Sequence, residues 1–236
     1  GKTRFIASDY AIVIFLLFFS AIIRFKFLNA GLFHHDSFQT AIAVENTIKE
    51  WKLYEIGGGR QGYVLVNSLF FYFFNKFLGH NSAEFTVNFT SALFGTLSIA
   101  VLYFFVKNLT NNKFSGFSSS MLYSVTPIFL SVSTFAKEYT LDVFTVLLSM
   151  VLFVIGIKKI NYFFIFLSGL FFSFLIFIRF PSLLIIFSVV FLAYNFNKIN
   201  NSEKGIKLNK IRILSFYLIP FLIFIVFYGL YQYDTL

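Results

Sequence analysis

The chain has 236 residues, of which 58% are hydrophobic, 22% aromatic and only 12% charged, and its formal net charge is +9. Soluble domains are about 45–50% apolar and about 25% charged, so this composition excludes a soluble enzyme and indicates an integral membrane protein. Without cysteine, the chain has no disulfide, thiol nucleophile or Cys-ligated metal site. In a membrane protein the excess of Lys and Arg is a topology signal, and no nucleic-acid partner is expected.

Apolar runs near 20 residues predict an all-α, polytopic membrane protein with about seven transmembrane helices. The predicted spans cover residues 10–28, 85–106, 114–132, 143–157, 162–178, 182–194 and 213–231. The fifth and sixth are short and are joined by Arg179-Phe180-Pro181, so a single broken helix is an alternative to two spans. The apolar run 67–78 is short for a span, and we expect it to form an interfacial or re-entrant helix.

Basic residues gather on one side of these spans, which predicts the orientation. With the N-terminus in the cytoplasm, the basic loop 197–212 lies inside and most of the acidic residues lie outside. A spanning helix at 67–78 would invert this pattern. We therefore expect a cytoplasmic N-terminus and an active outer face, in the plasma membrane of a prokaryote. Arg24 and Lys26, near the outer end of the first span, are expected to snorkel to the interface.

The first outer loop, residues 34–84, is long enough to be the functional candidate. It opens with His34-His35-Asp36-Ser37 and continues with apolar residues at three- and four-residue steps. These residues are Phe38, Ala41, Ile42, Val44, Ile48 and Trp51. The pattern predicts an amphipathic helix lying in the membrane interface. Asp36 at its start is either the N-cap, with Gln39 completing a capping box, or a catalytic carboxylate.

The second outer loop carries Lys137-Glu138-Tyr139 and Asp142. Glu138 and Asp142 are four residues apart and would share one side of a helix. They are either solvated acids at a helix start, where negative charge is favourable, or carboxylates that act in proton transfer. Two acids from separate loops, both facing a lipid-linked substrate, suit general-base transfer.

Three basic residues on the predicted outer face could stabilise a phosphate leaving group, namely Arg60, Lys137 and Arg179. Cations placed where negative charge develops give a large electrostatic benefit, and Arg suits bidentate phosphate contacts. Each has an alternative role, as a solvated turn charge, an ion-pair partner or an interface anchor. The spacing of the outer histidines matches no standard metal site, so no metal is expected.

The order of these motifs around the spans resembles the glycosyltransferase C superfamily, and within it the branch of protein O-mannosyltransferases and aminoarabinose transferases. Asp36 matches the family's first-loop Asp, with Ser37 in place of the Glu that often follows it. Gly59-Arg60-Gln61-Gly62-Tyr63 occupies the place of a motif that usually contains paired prolines.

The second outer loop extends the resemblance. Ala136-Lys137-Glu138-Tyr139 matches the second-loop motif with Lys in place of the commoner Arg, and Asp142 matches an Asp of the aminoarabinose-transferase branch. Arg179-Phe180-Pro181-Ser182 is similar to a basic-turn motif of the same family.

The resemblance implies transfer, with inversion, of a sugar from a polyprenyl-phosphate carrier to a hydroxyl of a glycan, lipid or protein acceptor. It makes the lipid-linked sugar a substrate and requires no cofactor. The implied catalytic residues are Asp36, Glu138 and Asp142. The implied substrate-binding residues are Arg60, Lys137, Tyr139, Arg179 and His35. Because the superfamily's enzymes are about twice as long, we expect residues 1–236 to be one transmembrane domain in the N-terminal part of a longer chain.

The main alternative is a non-catalytic membrane subunit that keeps this scaffold and assembles into a larger membrane protein complex. The short chain, the Ser after Asp36 and the missing prolines favour it. A transporter is a weaker alternative, because the sequence shows no inverted repeat and no pair of broken helices. The catalytic hypothesis predicts that Asp36 and the acids of the second outer loop converge on one outward cavity. The subunit hypothesis predicts a filled or absent cavity and a large protein-facing surface.

Overall fold

The computed structural model describes residues 2–26, 28, 31–32, 34–54, 56, 60–134, 136–179, 184–195 and 210–233. Every regular secondary-structure element in this part of the chain is a helix, which confirms the predicted all-α class. The helices are α1 (Lys2–Phe25), α2 (His35–Glu50), α3 (Gln61–Leu78), α4 (Ala83–Thr110), α5 (Lys113–Val125), α6 (Pro127–Thr134), α7 (Tyr139–Lys159), α8 (Tyr162–Ile178), α9 (Ile185–Tyr194) and α10 (Lys210–Tyr233).

Four of the described helices are long and apolar enough to cross a membrane, in agreement with the predicted membrane protein. The qualifying stretches are Ser8–Phe25, Ala83–Thr110, Tyr139–Lys159 and Lys210–Phe227. They correspond to the first, second, fourth and seventh predicted spans. The fifth span is α8, with 17 residues, and α9 is a shorter part of the sixth. The number seven itself therefore stays a prediction.

The third predicted span is divided into α5 and α6. Thr126 between them has an extended backbone, with φ −65° and ψ 124°, and Pro127 begins α6. Proline disfavours a helical conformation at the preceding residue and is tolerated at the first position of a new helix. The expectation of one unbroken helix over 114–132 is therefore wrong, although α5 and α6 together still run from one end of the bundle to the other.

Polar contacts define the two ends of the helix bundle. At one end, which we call the basic end, Asp9 accepts hydrogen bonds from Tyr103 (2.6 Å) and Lys107 (2.6 Å) and lies 3.1 Å from Lys113. At the other end, which we call the site end, Asn88 of α4 donates to the carbonyl of Leu28 at 3.3 Å. Lys158, from another predicted inner loop, lies 2.7 Å from Asn111 at the basic end, so these described residues of the predicted inner loops share one end.

The core near the basic end is formed where α7 and α8 pack against α10. Phe153, Phe172 and Tyr217 are fully buried there. Gly169 lets α8 approach α10 directly, because a Cβ atom at this position would collide with the backbone oxygen of Tyr217. Small residues at such contacts allow membrane helices to pack closely.

Arg24 does not snorkel to the interface. Its side chain is buried, with only 1% of the residue exposed, and its Nη1 donates to Ser20 Oγ at 2.6 Å and to the Ser124 carbonyl at 3.5 Å. The division before Pro127 explains this position, because the last carbonyls of α5 have no partner within their own helix. Lys26 is exposed, as expected.

Candidate functional site

The start of α2 is capped by His34 rather than by Asp36. His34 has an extended backbone, and its Nδ1 accepts the backbone N–H of Asp36 at 3.1 Å. Gln39 lies 2.9 Å from the ring of His35 instead of completing a capping box. The N-cap alternative for Asp36 is therefore wrong, and the carboxylate of Asp36 is available for other contacts.

That carboxylate lies in a charged cluster built by three segments distant in sequence. Asp36 Oδ2 is 3.0 Å from Arg60 Nη1 and 3.4 Å from Lys137 Nζ, and Arg60 Nε is 3.3 Å from Glu138 Oε1. Arg60 thereby joins a carboxylate of the first predicted outer loop to one of the second. We call His34, Asp36, Arg60, Lys137 and Glu138 the site cluster.

Burial differs sharply between the two carboxylates. The Glu138 side chain is 4% exposed, whereas that of Asp36 is 26% exposed. A deeply buried carboxylate must be paired to remain charged, and Arg60 supplies that pairing. Asp36, at the open side of the site cluster, is the carboxylate that an incoming hydroxyl can reach.

Two cations hold Asp36 in its ionised form. Its partial burial would raise the carboxyl pKa, but hydrogen bonds and charge interactions with Arg60 and Lys137 outweigh burial, so the net pKa of Asp36 is below its ordinary value. Asp36 is therefore a proton acceptor at neutral pH. Arg60 and Lys137 approach the carboxylate from its Oδ2 side, at 3.0 Å and 3.4 Å.

A buried hydrogen-bond network supports the loop that carries Lys137 and Glu138. Tyr63 of α3 pairs with Ser91 of α4 at 3.1 Å, and Ser91 donates to the Lys137 carbonyl at 3.4 Å. Ala136, directly before this loop residue, is buried and has φ 51°, a conformation that L-residues rarely adopt. The loop is thus held in a specific turn that places Lys137 beside Asp36 and Glu138 beside Arg60.

The remaining predicted residues lie around the site cluster. Tyr139 receives the guanidinium of Arg179 over its ring at 4.7 Å and the ammonium of Lys137 at 5.5 Å. Asp142 is buried in the first turn of α7, and its backbone N–H donates to the Glu138 carbonyl at 2.9 Å. Residues 57–59 and 180–182 of the predicted motifs lie outside the described residues.

His34 is the histidine that sequence reasoning missed. Its Nε2 lies 3.0 Å from Lys137 Nζ, whereas the predicted substrate-binding residue His35 is exposed and contacts Gln39. The position of His34 directly before the predicted helix could have indicated its role in the sequence, because an N-cap side chain folds back over the first turn of its helix.

The composition of the site cluster suits an anionic ligand better than a metal ion. Within the described residues, no three His, Asp or Glu side chains are grouped to hold a metal. Arg and Lys side chains instead surround the carboxylates, and Arg179 stacks beside them on Tyr139. Guanidinium groups are well suited to bind phosphate oxygens.

One comparison with known proteins bears on the fold and on this site. The family model described as dolichyl-phosphate-mannose-protein mannosyltransferase matches residues 65–228. The match includes Lys137, Glu138 and Arg179 and begins after Asp36 and Arg60. It agrees with the resemblance drawn from the sequence motifs. No curated protein matches the chain significantly.

Proposed function

Because the chain belongs to the dolichyl-phosphate-mannose-protein mannosyltransferase family, we propose that it transfers a sugar from a polyprenyl-phosphate carrier to an acceptor hydroxyl, with inversion. The family is one of membrane glycosyltransferases, and the apolar helices agree with an integral membrane protein. The observation that carries the proposal is the meeting of Asp36 with Arg60, Lys137 and Glu138 at the site end of the bundle. A base and several cations at one surface are what this reaction requires.

Asp36 is the general base of the proposed reaction. The acceptor oxygen forms a bond to the anomeric carbon, the bond from that carbon to the phosphate oxygen breaks, and its electron pair leaves with the phosphate. The proton of the acceptor hydroxyl passes to the carboxylate of Asp36, whose side chain is 26% exposed. Glu138 and Asp142 support this arrangement from the start of α7, Glu138 by holding Arg60 in place.

Arg179 and Lys137 are the phosphate ligands of the proposed reaction. Arg60 is already engaged by two carboxylates, so it orients those groups. The guanidinium of Arg179 lies over the Tyr139 ring, 4.7 Å from the ring centroid, and a guanidinium that contacts a ring with its face can form hydrogen bonds along its edge. That edge matches phosphate oxygens in a bidentate fashion, and Lys137 lies over the same ring.

The proposed orientation places the site cluster outside the cell. The basic end carries Lys107, Lys113 and Lys158, and short basic loops remain in the cytoplasm. The site end then opens on the outer face, where the lipid-linked sugar, the membrane lipid and the acceptor meet.

A transfer assay with an Asp36→Asn variant tests the proposal. Purified protein in detergent is given radiolabelled polyprenyl-phosphate mannose or glucose, with membrane extract as acceptor. Wild type is expected to transfer label, and Asp36→Asn to lose about 10²–10⁴-fold in rate, the usual range for general-base catalysis. Glu45→Gln, which removes a partly exposed acid that pairs with Lys49 on the same helix, is the matched control and should retain the wild-type rate.

Two results would contradict the proposal in different ways. Full activity of Asp36→Asn would remove Asp36 as the base and leave the transferase assignment intact. Absence of transfer by folded wild-type protein with every donor would favour the non-catalytic subunit. In that case the ion pairs of Arg60 with Asp36 and Glu138 would serve only to join the two loops.

A further inference from the structure

At the basic end of the bundle, two cations lie against aromatic rings of the first turn of α8. The guanidinium of Arg212, in the first turn of α10, lies over the Tyr162 ring, 4.6 Å from its centroid. The ammonium of Lys159, at the end of α7, is 5.9 Å from the centroid of the Phe164 ring. Both basic residues are exposed. A cation held on the face of a ring keeps N–H groups that can bind an anion.

Large apolar side chains are exposed beside these cations. Successive residues of an α-helix are rotated by about 100°, so Phe163 points into the arc between Tyr162 and Phe164. Phe163 is 66% exposed, and Ile211, next to Arg212 in the chain, is 77% exposed. The surface thus combines positive charge with apolar groups. We call Lys159, Phe163, Ile211 and Arg212 the basic-end surface.

The charge of this end is positive. The acid that the structure describes there is Asp9, and it is already engaged by Tyr103, Lys107 and Lys113 on the other side of the bundle. The basic-end surface adds two further positive charges. An anion is therefore attracted to this end by the field of several cations.

The combination of charge and apolar exposure selects the partner by its chemistry. A soluble anion would contact the cations and leave Phe163 and Ile211 facing another environment. A phospholipid with a net negative charge satisfies both, because its phosphate meets the cations while its acyl chains contact the apolar side chains. Basic groups between membrane helices at the cytoplasmic side are suited to such headgroups.

We propose that the basic-end surface binds an anionic phospholipid. Arg212 contacts the phosphate oxygens through the edge of its guanidinium, and the Tyr162 ring fixes the plane of that guanidinium. Lys159 adds a second positive charge on the other side of Phe163. The surface lies at the opposite end of the bundle from the site cluster, so this proposal does not depend on the transfer reaction.

Thermal unfolding of the purified protein with added lipid tests the proposal. The full chain in an uncharged detergent receives phosphatidylglycerol or phosphatidylcholine with the same acyl chains. Both lipids carry a phosphate, but the choline group balances its charge. Phosphatidylglycerol at about ten times its Kd is expected to raise Tm by about 3–6 °C, with saturation. Phosphatidylcholine should leave Tm nearly unchanged.

The double variant Arg212→Gln with Lys159→Gln removes both cations of the surface. It is expected to bind phosphatidylglycerol about 30-fold more weakly, the loss that two basic groups near an anionic headgroup correspond to. Lys49→Gln with Lys52→Gln is the matched control. It lowers the net charge by the same amount at exposed residues of the first predicted outer loop, and it should keep the wild-type response to the lipid.

Native mass spectrometry of wild-type protein gives a second measurement that needs no variant. From an equal mixture of the two lipids, wild type should retain phosphatidylglycerol in preference to phosphatidylcholine. Equal retention, equal gains in Tm with the two lipids, or an undiminished response of a folded Arg212→Gln, Lys159→Gln protein would each overturn the proposal. An equal gain in Tm with soluble glycerol 3-phosphate would also contradict it, because the surface would then bind a free phosphate rather than a lipid.

Discussion

Arg60 is the residue on which the site cluster depends, because one guanidinium serves two carboxylates. Its Nη1 contacts Asp36 and its Nε contacts Glu138. The planar fork of Arg can satisfy two partners at fixed angles, whereas the single ammonium of Lys cannot. Sequence analysis named Arg60 as a candidate phosphate ligand, but its position as a bridge between two loops depends on three-dimensional packing.

Arg60→Lys should therefore lower stability even though charge is conserved. Glu138, with a 4% exposed side chain, would lose its partner while remaining buried, which costs about 1–3 kcal/mol. The measurement is thermal unfolding of the purified protein in detergent. The double variant Arg60→Lys with Glu138→Gln should recover most of the loss, since Gln needs no counter-charge.

An exposed ion pair provides the comparison for this prediction. Lys49 and Glu45 form a surface pair at 3.6 Å on α2, and such pairs contribute at most about 1 kcal/mol. Lys49→Ala should consequently leave the unfolding temperature nearly unchanged. Equal losses in Lys49→Ala and Arg60→Lys would show that Arg60 is only a surface charge.

Among the elements, α2 shows what hydrophobic periodicity can and cannot predict. The helix was expected in the sequence, but which of its side chains face the other helices was not predicted. Phe38 and Ile42 are 58% and 48% exposed, whereas Ser37, Thr40 and Thr47 are buried. In a membrane protein the large apolar side chains face lipid or the interface and small residues face other helices, so the apolar face of a helix does not identify its protein-facing side.

The division between α5 and α6 was predictable in principle, and the close contact at Gly169 was not. Proline at position 127 is a local signal, visible in the sequence. Which glycine meets another backbone depends on the relative placement of α8 and α10, and that placement follows from the packing of Phe172 and Tyr217. The sequence analysis named Asp36, Arg60, Lys137 and Glu138 as candidates because short motifs beside the spans are visible locally in the sequence. The distances that join these residues are not.

Gly169→Ala should destabilise the contact between α8 and α10. The added methyl group would meet the backbone oxygen of Tyr217, and a backbone atom cannot move aside as a side chain can. Overpacking of this kind costs about 1–3 kcal/mol. Thermal unfolding in detergent measures the loss, and Leu170→Ala, at a neighbouring exposed residue, is the control. A loss in Leu170→Ala that matched the loss in Gly169→Ala would argue against close packing at Gly169.

For the whole molecule, the two polar ends of the bundle make the orientation directly testable. The chain contains no cysteine, so a single introduced thiol reports one position. Asn81→Cys, at the site end, should react in intact cells with a membrane-impermeant maleimide. Lys159→Cys, at the basic end, should react only after the membrane is permeabilised. Both positions are exposed.

The reverse labelling pattern would place the site cluster in the cytoplasm. Labelling of both positions in intact cells would instead contradict a bundle with two separated ends. Either result would also test the predicted spans. The chain passes between the two ends of the bundle in each of α1, α4, the α5–α6 pair, α7 and α8.

The buried contact between Arg24 and Ser124 also has a consequence for how the protein is made. Arg24 lies in the last turn of α1 with its side chain buried, and the Ser124 carbonyl to which it donates lies 100 residues later in the chain. During synthesis, α1 therefore enters the membrane long before this partner for its arginine exists. The Arg24 side chain can form its contact with α5 only after α5 has been synthesised. Packing of α1 is therefore completed together with that of α5.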